Sequence, residues 1–461
     1  MSYQHRDLPS HTVLHGQEHS RCSEETTGKR QFLHESQSTH GWKMLGANQG
    51  SLGMEGDIHS AVVCDVETTA PTLGNEPSGD VSDSPFSDRS PTVPLEHCQN
   101  ALFFSLFEHS TKVYFQEWAP LFPMLHEPTF RKLLGNSISG PEIDYLCDEL
   151  AQIYLVIDIT GLSSNVADPE QFPMVTQIWR DALSSSFPHK SIHALQSLTL
   201  ATLCCIIRAE RDGAIHYRNR AICLSNLLEL HRDCAHDLNG PLSTLTLEMN
   251  KRVFWTLYTL DCFCAATFSL PTMLKTTDVT ASYPSDIDDE YIIENGVSPR
   301  PHDPNTRMSR ALALFKAARV LGELLDLTCT TFALPQLRDQ QTEPLQNKLD
   351  VWYAQLPYHL SLEAVVGKPL KYIICSHPYL MSIIFYYIKC QISLRTIRPG
   401  QRSKVNHIFG ESRKSCGCII NLLKCFDELG FSFCFCLNKN SLLAFCNDVQ
   451  SSSPGRLYFT A

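Results

Sequence analysis

Two stretches between Leu195 and Phe268 leave this chain little freedom to be anything but helical. The later one, Leu247 to Phe268, is apolar almost all round, with Val253, Phe254, Trp255, Leu257, Tyr258, Leu260 and Phe263 falling on every side of a helical wheel. A helix without a polar face must lie inside a helical domain. Leu270-Pro271 closes it, because proline lacks the amide that would continue the ladder. The earlier stretch carries Ala214, Tyr217, Ala221, Leu224 and Leu228 at helical spacing, which predicts one buried face, and places Arg218, Asn219, Ser225 and Asn226 on the opposite side. A charged loop, Tyr283 to Glu290, follows.

Helical patterns continue on both sides. They cover about 96–115, 128–134, 143–160, 173–185, 191–209, 212–231 and 243–268, then 306–327, 343–355, 376–395 and 412–429. No alternating run is long enough for a useful strand, and no fixed-period repeat appears. The expected class is all-α, a multi-helix array of antiparallel helix pairs. Residues 1–95 are rich in Ser, Thr, Gly, Pro and His, so a disordered acidic tail is expected there, with a helical domain over 96–430. The stretch 431–461 shows neither helical period nor capping logic. It is expected to be irregular, as a truncated or mis-spliced end would be.

Charge and cysteine usage narrow the function. The net charge is −11, and residues 1–100 hold six Lys/Arg against fourteen Asp/Glu. Phosphate contacts call for the opposite sign, so this segment is no nucleic-acid arm. Nineteen cysteines in 461 residues are too sparse for a disulfide scaffold. Cys204, Cys205, Cys223, Cys262 and Cys264 lie within apolar helical runs, where a thiol acts as a small hydrophobe. The opening MSYQHRDLPSH has no apolar core of a secretory signal, and the longest apolar runs are too short for a bilayer. No membrane association is expected.

Chemistry-bearing patterns each have a structural alternative. His231, Cys234 and His236 lie within six residues and offer zinc ligands, or simply a polar helix end. Cys262/Cys264, Cys416/Cys418 and Cys434/Cys436 are two apart, which on a helix sends the thiols to opposite faces. Asp286, Asp288, Asp289 and Glu290 resemble a calcium loop, but Tyr291 and Val297 stand where glycine and glutamate are needed; a capping loop is the better reading. Asp261 sits in the most apolar helix, where an unpaired carboxylate would be costly. The expected role is a structural buried charge, paired with Arg220 or Arg232. The motifs Gly-x-Ser-x-Gly, Gly-x-x-x-x-Gly-Lys, Gly-x-Gly-x-x-Gly and His-Glu-x-x-His do not occur, so no catalytic residues and no enzyme activity are expected.

Four segments in order carry a family resemblance. They are YFQEWAPLFPMLHEPTF (Tyr114–Phe130), HYRNRAICLSNLLELHRD (His216–Asp233), LEMNKRVFWTLYTLDCFCAATFSLPTML with DVTASYPSDIDDEYI beyond it, and LDVWYAQLP (Leu349–Pro357). Together they resemble the middle homology region, the regulatory domain of fungal zinc-cluster transcription factors, from about Ala101 to about Leu429. The resemblance implies a nuclear regulator of RNA polymerase II transcription working through a helical domain. It implies partners among other transcription factors or coregulators, as a homodimer or heterodimer. Trp118, Phe122, His126, Phe130, Trp255 and Tyr258 stand at signature positions, where they line an effector pocket or fill the core.

The family's DNA-binding head holds two zinc ions on six cysteines. Residues 1–100 contain only Cys22, Cys64 and Cys98, so no zinc or other cofactor is expected in this chain. DNA would then be reached indirectly, through a partner or a missing exon. Two alternatives stay open: an interaction protein that antagonises related factors, and a small-molecule-binding helical protein.

Overall fold

The computed structural model describes residues 101–139, 147–163, 172–185, 190–233, 242–299, 305–330, 335–365, 375–395 and 402–452, all within one unit, Pro85–Ala461. The expected tail over residues 1–95 lies outside the described residues. Twelve helices follow one another: α1 (Ala101–Val113), α2 (Glu127–Ser139), α3 (Cys147–Ser163), α4 (Phe172–Ser185), α5 (Ile192–Ile207), α6 (Arg211–Leu227), α7 (Thr244–Phe268), α8 (Met308–Thr330), α9 (Pro335–Ala354), α10 (His377–Arg395), α11 (Arg402–Glu428) and α12 (Lys439–Ser451). The described β-structure is one hairpin, β1 (Ile292–Ile293) with β2 (Gly296–Val297), antiparallel with Ile292 opposite Val297. This is the all-α array that the sequence implies. Consecutive helices pack on each other (α3 on α4, α5 on α6, α7 on α8, α10 on α11), while α3–α5 and α5–α7 contacts join the pairs.

α7 lies at the centre for the reason its composition gives. Every residue from Arg252 to Ala266 is buried. Ser243 starts the helix, its Oγ accepting from the Thr246 amide at 3.1 Å. Ser269 turns left-handed at φ 54°, the Leu270 amide bonds the Ala265 carbonyl at 3.0 Å, and Pro271 prevents continuation. On α6 the buried face holds Ala214, Tyr217, Ala221 and Leu224 as expected. The opposite face is not wholly in water, since Arg218 and Ser225 are buried too. Arg218 turns inward to meet a charge on α7.

α7 and α8 cross at Gly322. A Cβ there would fall inside van der Waals contact of the Tyr258 hydroxyl oxygen and 3.1 Å from Tyr258 Cζ. That hydroxyl cannot move away freely, because it shares a hydrogen bond with Thr276 Oγ1 at 2.8 Å. Gly322→Ala is therefore expected to destabilise by about 1–3 kcal/mol, despite alanine's better helix propensity. In urea unfolding, Tyr258→Phe should recover part of that loss; an alanine variant as stable as the parent would refute the close approach.

The carboxy-terminal stretch differs from expectation. Residues 431–437 run as a connection whose second half, Cys434 to Leu437, is buried, and α12 follows instead of an irregular end. Phe435 packs 6.4 Å from the Phe122 ring and edge-on to Phe263 at 5.1 Å, so it joins the central core. Asn438 fastens two helices: its Nδ2 donates to the Ile207 carbonyl at 2.6 Å, and its Oδ1 accepts from the Ser441 amide at 3.0 Å. Caps of this kind are local and polar, so an apolar periodicity does not reveal them. Residues 453–461 lie outside the described residues.

The described cysteines are all free thiols. Burial pushes Cys264 up to about 11 and Cys205 up to about 12, as suits inert core thiols. Cys223 is exposed rather than in the core. No group of three or more His, Cys, Asp or Glu that could hold a metal occurs among the described residues, and Cys234 and His236 fall outside them. No described helix is long and apolar enough to cross a membrane.

Candidate functional site

The segment Tyr114–Phe130 has to turn sharply, because Pro120 and Pro123 interrupt it. It does so through a wide turn at Tyr114–Trp118, where the Ala119 amide bonds the Tyr114 carbonyl at 2.9 Å, an i to i+5 step. Most of its side chains are buried. Trp118 and Phe122 are fully buried, and Trp118 Nε1 donates to Ser163 Oγ at 3.3 Å. The Tyr114 hydroxyl is enclosed without a hydrogen-bond partner, and burial, with Asp289 nearby, pushes its pKa up.

The chain then begins α2, with Pro128 in the first turn where a missing amide costs nothing. His126 precedes the helix. Its Nε2 donates to the Asp289 carbonyl at 3.0 Å, and its Nδ1 shares a hydrogen bond with the Thr129 hydroxyl at 2.7 Å. Asp289 also reaches the helix itself, Oδ2 accepting from the Glu127 amide at 2.8 Å. An acidic residue 162 positions away thus caps α2.

The whole loop after α7 is laid back along that helix. Going from its carboxy-terminal end, Asp261 accepts from the Leu274 amide at 3.0 Å and the Met273 amide at 3.1 Å. Tyr258 meets Thr276. Trp255 Nε1 donates to the Ser282 carbonyl at 2.9 Å, and its ring stacks on Tyr283 at 4.3 Å. Arg252, 1% exposed, pairs with Asp289 and donates through Nη2 to the Ile287 carbonyl at 2.6 Å. Glu248 accepts from the Ser285 amide at 2.7 Å. These positions on α7 are three or four apart, the spacing that lines one helical surface. Asp288 meanwhile accepts from the Arg307 amide at 2.7 Å and the Met308 amide at 3.3 Å, which caps α8. The acidic loop is a set of helix caps and counterions.

Asp261 pairs with neither Arg220 nor Arg232. Its partner is Arg218, whose Nε donates at 2.6 Å and whose Nη2 also bonds the Pro271 carbonyl at 2.7 Å. Arg218 and Arg220 are two residues apart and so point to nearly opposite sides of α6. Arg220 donates instead to the Leu183 carbonyl at 3.2 Å, and Arg232 pairs with Glu229 at 3.7 Å. Burial pushes the Asp261 carboxyl up, while Arg218 and the two amides pull against that rise.

Two cavities flank the start of α2. The larger, about 350 Å³, lies between α2, the acidic loop and the start of α8, with Glu127, Arg131, Arg252, Asp289 and Arg307 among its walls. The smaller, about 230 Å³, lies on the other side and is lined by His126, Phe130, Gln152, Gln196 and Met249 among others. The signature set is therefore divided. His126 and Phe130 line the smaller cavity; Trp118, Phe122, Trp255 and Tyr258 are fully buried core. Sequence reasoning missed Arg252, Gln152 and Gln196. Arg252 carried a readable signal, since it is a charge within the same apolar helix that singled out Asp261.

The chain is 37% identical over 339 residues to the transcriptional activator protein acu-15 of Neurospora crassa, covering 74% of this chain and 36% of that protein. It is 25% identical over 182 residues to the regulatory protein CAT8 of Saccharomyces cerevisiae, covering 36% of this chain and 12% of that protein. A putative transcriptional regulatory protein of the same yeast, YJL206C, matches at 24% over 176 residues, 38% of this chain and 23% of its own length. The chain thus spans about a third or less of the curated relatives named here. No solved structure matches it. Residues 111–354 match the fungal specific transcription factor domain, which takes in the signature turn, α7 with its acidic loop, and α9, and the chain belongs to that family.

Proposed function

We propose that this chain is the regulatory body of a nuclear transcription factor, acting through contacts of its helical domain rather than by catalysis. The observation that carries this reading is the family match over residues 111–354, together with 37% identity to a protein named as a transcriptional activator. Its partners are other transcription factors or coregulators, including a second copy or a relative. Promoter DNA is reached through such a partner or through a segment outside these 461 residues. The acidic balance of residues 1–100 supports an indirect route, because phosphate contacts need clustered Lys and Arg.

A reporter assay tests this. Fused to an unrelated DNA-binding domain in a fungal host, the chain is expected to change reporter output several-fold, up or down, relative to that domain alone. A fusion that is stable, nuclear and without effect would refute the reading. Sequence-specific retardation of promoter DNA by the purified chain at physiological salt would refute its indirect part.

A further inference from the structure

Three helices begin around the smaller cavity. The first two turns of α2, α5 and α7 supply most of its lining, and α3 adds Glu149 and Gln152. Ser191 and Ser243 cap α5 and α7 by accepting from the third-position amides of Ala194 and Thr246, at 3.0 and 3.1 Å. The second-position amides, those of His193 and Leu245, have no carbonyl within their own helices and bond no other backbone carbonyl. Both residues line the cavity. A helix start carries roughly half a positive charge, and several around one small space favour a carboxylate.

The α3 side asks for the opposite. Gln152 is 3% exposed, and its Nε2 donates to the His193 carbonyl at 3.1 Å and to Gln196 Oε1 at 3.3 Å. Gln196 Nε2 donates onward to the Met124 carbonyl at 2.7 Å, which fixes the direction of both amides. Both Gln152 donors are thereby used, and its Oε1 accepts from no described residue. The Glu149 carboxylate lies on the same wall, again without a hydrogen bond or ion pair among the described residues. No Lys or Arg lines the cavity. Two free acceptors with no cation beside them match an ammonium group. The two features adjoin where Gln152 bonds the His193 carbonyl at the start of α5, and the rest of the lining is largely apolar, with Phe130, Leu133, Ile192 and Met249. For scale, a dry cavity of about 150 Å³ holds benzene.

We propose that this cavity binds a free α-amino acid with an aliphatic side chain: its ammonium on Glu149 and Gln152 Oε1, its carboxylate at the starts of α5 and α7, and its side chain against Phe130, Leu133 and Met249. Each half of the zwitterion answers a separate feature of the cavity, so neither a simple amine nor a simple carboxylate satisfies it. The proposal is independent of the transcriptional role, because it is read on the purified chain.

The test is titration calorimetry and thermal melting of the full chain with L-leucine, L-valine and L-methionine. Isoamylamine, which lacks the carboxylate, and 4-methylpentanoate, which lacks the ammonium, serve as half-ligands. At least one of the three amino acids is expected to bind and raise the melting temperature, with each half-ligand at least about tenfold weaker than L-leucine. Glu149→Gln, at a partly exposed position, should keep the parent's melting temperature and lose about tenfold in affinity. Leu133→Trp, which fills the space, should abolish binding. No binding by any of the three amino acids, a half-ligand as tight as leucine, or affinity unchanged in both variants would overturn the proposal.

Discussion

Asp261→Ala is expected to cost about 3–5 kcal/mol, because it strands a charge rather than merely deleting one. Arg218 is 3% exposed at its side chain and would keep its guanidinium in the core with only the Pro271 carbonyl for company. The Met273 and Leu274 amides, which turn the chain after α7, would lose their acceptor as well. Asp261→Asn should fall between parent and alanine, since it keeps an acceptor but no charge. The decisive comparison is the double replacement Asp261→Leu with Arg218→Met. With neither charge buried, much of the loss should return, so the cycle measured by urea unfolding should be strongly non-additive. An alanine variant with the parent's midpoint, or a strictly additive cycle, would contradict the pair.

Arg252→Met is expected to cost about 3 kcal/mol by the same physics, with a different local signature. Arg252 is the inward anchor of the acidic loop, holding both Asp289 and the Ile287 carbonyl. Its loss leaves Asp289 in place to cap α2 but without a counterion, so residues 283–291 should exchange amide hydrogens faster while α7 stays protected. A rim pair supplies the control. Arg307 meets Glu127 at 3.2 Å with its side chain 58% exposed, so Arg307→Ala should change stability by less than about 1 kcal/mol. Equal effects of the two substitutions would show that Arg252 is not an anchor.

The parts of this fold that the sequence made legible are those governed by local period. α5 and α7 run Ile192–Ile207 and Thr244–Phe268, against expectations of 191–209 and 243–268. Both are capped by serine, a residue type that announces itself. α11 starts at Arg402, ten residues before the expected Ser412; Val405, Ile408 and Phe409 stand at helical spacing in that part, but among Arg, Ser, Lys, Asn and His. α9 runs through Pro344, which reads as a helix start yet lies inside one. At the candidate site, His126 and Phe130 were visible as signature residues. Gln152, Gln196 and Arg252 were not, since their meaning comes from partners 41, 72 and 37 positions away. Likewise Arg218 belongs by period to the outer side of α6, and only the neighbouring helix reveals why it turns inward.

The two cavities share a wall. His126 and Glu127 are adjacent in the chain yet face different chambers, and Leu125 and the opening turn of α2 border both. The partition hangs from Asp289, which grips it at the His126 ring and the Glu127 amide. Replacing Asp289 would therefore disturb the linings of both chambers at once.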